Sequence, residues 1–217
     1  MDKFYRTIKT RYGALSKIDM KDKLVLKIGL ILFCISLNFI PNKALSQDRY
    51  LMVLDIQMVD KNNKQLDSSV KEMIINVNSL ISHFNPEKVI YIKATSKAMN
   101  LTSKGFSVVT LPAPDFDSTL NIVSNNIFTK IEGDAFTSPE LISFLENRKV
   151  KEIVLVGLMA EKCLYNTALG GNIREYDIKV VPEGIVGTTQ KKKTKAIEKM
   201  KAKGIKIIPI TEIINPL

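Results

Sequence analysis

Cys163 lies five residues beyond the apolar run Val154-Leu155-Val156-Gly157-Leu158 and follows Met159-Ala160-Glu161-Lys162. The run reads as a buried strand, the next residues as a tight turn, and the thiol falls in the first turn of a following helix. A helix N-terminus carries partial positive charge and lowers a thiol pKa, so this placement predicts a nucleophile. The competing reading is a small buried core residue, which free cysteine often is. Asp55 is the second such residue. It ends the apolar run Tyr50-Leu51-Met52-Val53-Leu54, where a carboxylate sits at the mouth of a sheet or simply caps a turn.

The first 46 residues differ in kind from the rest. Residues 24–40 are almost wholly apolar, preceded by Lys21 and Lys23 and followed by Ala44-Leu45-Ser46, the small-x-small pattern that suits signal peptidase. This predicts a signal peptide over 1–46, with Met20 as a start that would give the usual short form, and a chain exported to a periplasm or medium. The alternative is a membrane anchor over 24–40, short for a ~30 Å hydrocarbon core and interrupted by Lys27. Leu32-Phe33 before Cys34 is too bulky for a lipoprotein signal.

The leader also carries most of the basicity. Of 32 Lys+Arg and 22 Asp+Glu, residues 1–46 hold 9 and 3, which leaves 23 against 19. The later run Lys191-Lys192-Lys193, continued by Lys195, Lys199, Lys201 and Lys203, has Ile197 and Met200 on one stripe, as a solvated helix covering a core does. No interleaved aromatic set or binding motif accompanies it, so nucleic acid is excluded as a partner and the membrane is met only through the leader. Cys34 departs with the leader. One exported cysteine without a pairing partner points to chemistry, and a thiol redox protein would need a second.

The elements that must position these groups alternate. Residues 50–55 form a strand, and Ser69-x-x-Glu72 a capping box for a helix with Val70, Met73, Ile74, Val77, Leu80, Ile81 and Phe84 inward, stopped by Asn85-Pro86. Strands follow at 88–94, 106–111 and 152–156, with a helix from Thr137-Ser138-Pro139-Glu140 to Glu146 between the last two. A helix from about Glu161, a strand over 178–181, the lysine-rich helix and a strand over 205–208 complete the chain. The expectation is a three-layer α/β/α domain over 47–217 with a mostly parallel, Rossmann-like sheet, whose ligands bind at the carboxyl ends of the strands.

Three segments carry a resemblance. Asp55-Ile56-Gln57 closes the first strand, Phe128-Thr129-Lys130 precedes Asp134-Ala135-Phe136, and Gly157 to Cys163 precedes Thr167-Ala168 and Tyr176-Asp177-Ile178. In this order the set resembles the isochorismatase-like cysteine hydrolases, over roughly 50–215. The resemblance implies a catalytic triad of Asp55, Lys130 and Cys163. It further implies a cis peptide between Leu158 and Met159, with an oxyanion hole from the Met159 and Cys163 N–H groups, and Gln57, Phe136 and Tyr165 about a small-molecule pocket. A homo-oligomer associating through exposed helices is implied as well. No cofactor is expected. Metal-binding members carry an Asp-x-His and a further His, whereas the single histidine here, His83, reads as a helix-end residue, so no metal is expected either.

Ala160 and Lys162 depart from the family's nucleophile turn, and Gly170-Gly171 interrupts its helix at about 1 kcal/mol each unless the backbone packs closely there. Residues 95–124 lack the usual polar pocket set. Hydrolysis of a small amide or ureide through a Cys163 thioester is the leading expectation. A non-catalytic binding or scaffold protein that retains the fold is the alternative.

Overall fold

The computed structural model describes residues 49–57, 64–103 and 105–215; the leader, Met20 and the alternative anchor at 24–40 lie outside them. Six strands form one parallel sheet: β1 (Arg49–Leu54), β2 (Val89–Ala94), β5 (Ile127–Lys130), β6 (Glu152–Leu158), β7 (Asp177–Val186) and β8 (Lys206–Ile207). The spatial order is β5-β2-β1-β6-β7-β8. The chain winds outward one way from β1 to β5 and the other way from β6 to β8. The gap between the carboxyl ends of β1 and β6 is therefore the topological switch point, where such sheets hold ligands.

Alternation along β1 divides the core. Tyr50, Met52 and Leu54 point to one face, with helices α2 (Pro139–Asn147), α3 (Cys163–Ile173) and α4 (Gln190–Ala202). Leu51 and Val53 point to the other, with α1 (Lys64–Ile81) and the short α5 (Thr211–Ile214). Both faces of the sheet are covered, which is why its strands read as continuous apolar runs. Among the described residues, no helix is long and apolar enough to cross a membrane.

Three expectations are corrected. Helix α1 begins at Lys64, so Ser69 and Glu72 are interior positions and not a cap; Leu66 joins Val70, Met73 and Val77 on the inward stripe, and Asp67 pairs with Lys71 at 2.7 Å. Residues 106–111 do form a strand, but not one of the main sheet. Gly105–Thr110 (β4) pairs antiparallel with Lys97–Thr102 (β3) in a separate hairpin, and its residues are exposed. The sheet position beside β2 belongs to β5, a four-residue strand with only Lys130 buried, too short and too exposed to show an apolar run. In α4, Ala196 and Met200 are the buried pair and Ile197 is half-buried beside them.

Candidate active site

Each residue of the expected triad is delivered by the end of a sheet strand or the start of the next helix. Asp55 is the first residue beyond β1, with φ 55°, in the left-handed region that Asp tolerates better than most side chains. Its N–H donates to Ile92 O at 3.0 Å, which ties it to β2. Lys130 ends β5, and its carbonyl accepts from Thr95 N–H at 2.8 Å, just beyond β2. Lys130 Nζ lies 2.9 Å from Asp55 Oδ2, with side-chain exposures of 1% and 9%, and donates also to Glu132 O at 3.3 Å. Apart from the ion pair, neither Asp55 oxygen has a hydrogen bond of good geometry within the protein.

Cys163 opens α3, half-buried, and its thiol interacts with both Asp55 and Lys130. The thiol pKa is raised, contrary to the expectation from the helix N-terminus. Burial disfavours the thiolate most, the Asp55 carboxylate adds to this, and the Lys130 ammonium opposes it. The balance favours the protonated thiol beside Asp55.

The turn before Cys163 is held from several sides. The Leu158–Met159 peptide is cis, and Gly157 has φ +121°. A Cβ on Gly157 would lie 2.0 Å from Leu54 O, so β1 and β6 approach here as only glycine permits. Ala160 N–H donates to Val186 O at 2.9 Å, and Lys162 and Leu164 N–H to Met159 O at 2.9 and 3.3 Å. Glu161 accepts from the Thr188 N–H at 3.1 Å and from its hydroxyl. Burial alone would raise the Glu161 carboxyl, but these bonds outweigh it and hold the pKa below its ordinary value.

The face of α3 that begins with Cys163 continues through Asn166, Thr167 and Gly170, the i, i+3, i+4, i+7 series. The segment after Lys130 lies along it. A Gly133 Cβ would meet Asn166 Nδ2 at 2.7 Å, the Ala135 N–H donates to Thr167 Oγ1 at 3.0 Å, and a Gly170 Cβ would come 2.1 Å from Asp134 Oδ2. Gly171 likewise packs against Ile178 and Phe136. The paired glycines are therefore the close packing that offsets their cost in a helix, and they let the lysine segment and the nucleophile helix share one wall. Sequence reading missed Asn166 and Gly133, although the helical spacing from Cys163 was available to find them.

The three residues expected about a pocket are placed otherwise. The Gln57 amide is occupied by main chain: it donates to Ala94 O at 2.9 Å and Pro114 O at 3.0 Å and accepts from Ala94 N–H at 2.7 Å. It clamps the end of β2 two residues from Asp55. Phe136 is fully buried, stacked on Tyr176 with ring centroids 5.3 Å apart and lying against Gly171, roughly 12 Å along α3 from Cys163 at 1.5 Å per residue. It is a core residue. Tyr165 stands two residues, and so about 200°, around the helix from Cys163 and packs on the core. His83 is exposed at the end of α1 with Nδ1 2.8 Å from Ser79 O.

Known proteins resemble this chain over most of its described part. The isochorismatase domain model matches residues 49–212. A secreted isochorismatase effector, Isc1, of Verticillium dahliae is 29% identical over 150 residues, 68% of this chain and 76% of that protein. Solved structures share the fold at lower identity. An isochorismatase family protein from Desulfovibrio vulgaris superposes with TM-score 0.62 at 18% identity, covering 76% of this chain and 95% of its own. A cysteine hydrolase from Pseudomonas syringae does so with TM-score 0.62 at 14% identity, covering 77% and 91%. With a domain match that spans nearly every described residue, the chain belongs to the isochorismatase-like hydrolase family.

Proposed function

We propose that this protein is an exported cysteine hydrolase that cleaves the C–N bond of a small amide or ureide through a thioester on Cys163. The observation that carries the reading is the buried Asp55–Lys130 pair at 2.9 Å with the Cys163 thiol against both groups. A buried carboxylate oxygen lacking a good donor calls for an explanation, and a base awaiting the thiol proton supplies one.

The chemistry follows from the protonation state. As Cys163 Sγ forms a bond to the substrate carbonyl, its proton passes to Asp55, so the thiolate never has to exist alone in a half-buried site. Lys130 pairs with the Asp55 carboxylate before the transfer and balances the charge of the site after it. The carbonyl oxygen, now negative, is received by the Met159 and Cys163 N–H groups, each donor being worth about 3 kcal/mol in the transition state. The C–N bond breaks as Asp55 returns its proton to the departing ammonia or amine. Water then gives a proton to Asp55 and forms the new C–O bond, and the C–S bond breaks as Asp55 passes that proton to the sulfur, releasing the acid and restoring thiol and carboxylate. Export is supported by the leader pattern and by the secreted relative.

The test is ammonia or amine release from a panel of small amides and ureides, with mass spectrometry of acid-quenched protein. Turnover that disappears in Cys163→Ala, with an acyl adduct on Cys163 in the unmodified chain, is the expected result. Undiminished turnover in Cys163→Ala would refute it. A non-catalytic binding protein is the second reading, favoured by the raised thiol pKa and by a Gln57 amide already taken up by main chain. That protein would be stabilised by a ligand from the panel with neither turnover nor adduct.

A further inference from the structure

Cys163 opens α3 without a side-chain cap. The residue before the helix is Lys162, which is exposed and has no acceptor to offer the first turn. Such a start is normally pinned by a Ser, Thr, Asp or Asn whose oxygen takes one of the first N–H groups. Here the turn is fixed from elsewhere. Of its four side chains, Met159 and Ala160 are apolar and Lys162 is exposed, which leaves Glu161.

Glu161 reaches away from α3 to the next crossover. Its Oε1 accepts from the Thr188 N–H at 3.1 Å and from the Thr188 hydroxyl, and its Oε2 lies 3.4 Å from the same N–H donor. Thr188 directly precedes Thr189, the N-cap of α4, whose hydroxyl accepts from the Lys192 N–H at 3.2 Å. One carboxylate therefore ties the start of the nucleophile helix to the start of the next. Gly187 makes room for it, since a Cβ there would come 2.8 Å from Glu161 Oε2 and 2.9 Å from Lys193 N. The adjacent main-chain bond, Ala160 N–H to Val186 O at 2.9 Å, holds the first half of the turn and leaves the half that carries Cys163 to the side chain.

We propose that Glu161 is a positioning residue, which through Thr188 holds the Cys163 turn in register with the Asp55–Lys130 pair. It acts by geometry and not by charge: the charged groups that bear on the Cys163 thiol are Asp55 and Lys130, and Glu161 is not among them. Its worth to turnover is alignment, since displacing a reacting group by about 1 Å can cost on the order of 100-fold in rate. For turnover the role rests on the hydrolase reading, but the placement of the thiol can be followed without any substrate.

The unmodified chain is compared with Glu161→Ala, Glu161→Gln and Thr188→Val. The readouts are kcat and KM on an amide or ureide that the unmodified chain cleaves, the pH midpoint of Cys163 alkylation by iodoacetamide, and the thermal midpoint as a check of folding. Glu161→Ala should lose about tenfold or more in kcat with KM changed less than about twofold, and its alkylation midpoint should fall toward the ordinary ~8.5 as the thiol leaves its half-buried place beside Asp55. Glu161→Gln keeps an acceptor oxygen without the charge, so it should bring kcat back to within about threefold and restore the alkylation midpoint. Thr188→Val removes the hydroxyl alone and should fall between, which decides the matter if Glu161→Ala does not fold. Unaltered kcat and alkylation midpoint in a folded Glu161→Ala overturn the proposal. So does a Glu161→Gln as impaired as Glu161→Ala, or a Thr188→Val indistinguishable from the unmodified chain. If the unmodified chain cleaves nothing, the hydrolase reading fails by itself, and the alkylation midpoints still decide whether Glu161 positions the thiol.

Discussion

Replacing Lys130 by methionine isolates the interaction at the centre of the site. At 2.9 Å and an effective dielectric of ~20, the Lys130–Asp55 attraction is about 6 kcal/mol before the cost of removing both charges from water is charged against it. The intact pair is therefore worth little in net stability. Removing one partner is different, because Asp55 keeps its burial and loses its counter-ion. Lys130→Met is expected to cost about 3–5 kcal/mol, roughly 10 °C in thermal midpoint for a domain of this size. Lys130→Met with Asp55→Leu should recover most of that loss, since no buried charge is then left alone. Urea unfolding of the four proteins in this cycle gives the coupling directly. A single substitution costing less than about 1 kcal/mol would refute the argument, because it would mean that water reaches Asp55. So would a double variant no more stable than the single one.

The thiol responds to the same pair in opposite directions. Asp55→Asn should lower the midpoint of the pH profile for Cys163 alkylation by iodoacetamide and Lys130→Met should raise it, from a parent midpoint above the ordinary ~8.5 of a free thiol. Since the folded thiol holds its proton to higher pH than the unfolded one, this group contributes stability that declines as pH rises through that alkaline window, and a denaturation series between pH 8 and 10 should show a smaller decline in Cys163→Ala. Gly157→Ala meets Leu54 O at 2.0 Å from a backbone no alanine favours, and should leave the protein insoluble, scored by its partition on expression. Gln57→Met strips three hydrogen bonds from Ala94 and Pro114, so a loss of about 1–3 kcal/mol in urea unfolding is expected. Any turnover should fall with it, through displacement of Asp55.

The two readings of Cys163 made from the sequence fared differently for a physical reason. Its position at the head of a helix was legible, because a buried apolar run, a glycine and a turn sit where strands and helices alternate along the chain. The charge state was not. A helix terminus acts locally and could be counted along the chain, whereas burial comes from tertiary packing and the Asp55 carboxylate from just beyond β1, more than a hundred residues away. The surroundings of the expected pocket residues were not legible either. Phe136 is near Lys130 in the chain, yet the short turn Ala135–Thr137 carries it into the core against Tyr176.

What the amino-acid order determined alone was the succession of elements: apolar runs long enough to be strands buried on both faces, amphipathic stripes for helices, and hence a three-layer domain with chemistry at the strand ends. That information is local, since periodicity and capping act within a few residues. Which apolar run entered the sheet was decided only by tertiary structure. Residues 105–110 look more like a strand than 127–130, but the place beside β2 goes to the segment whose last residue, Lys130, reaches Asp55. The hairpin left over was visible only once the sheet was complete, because exposure is a property of what remains uncovered after packing.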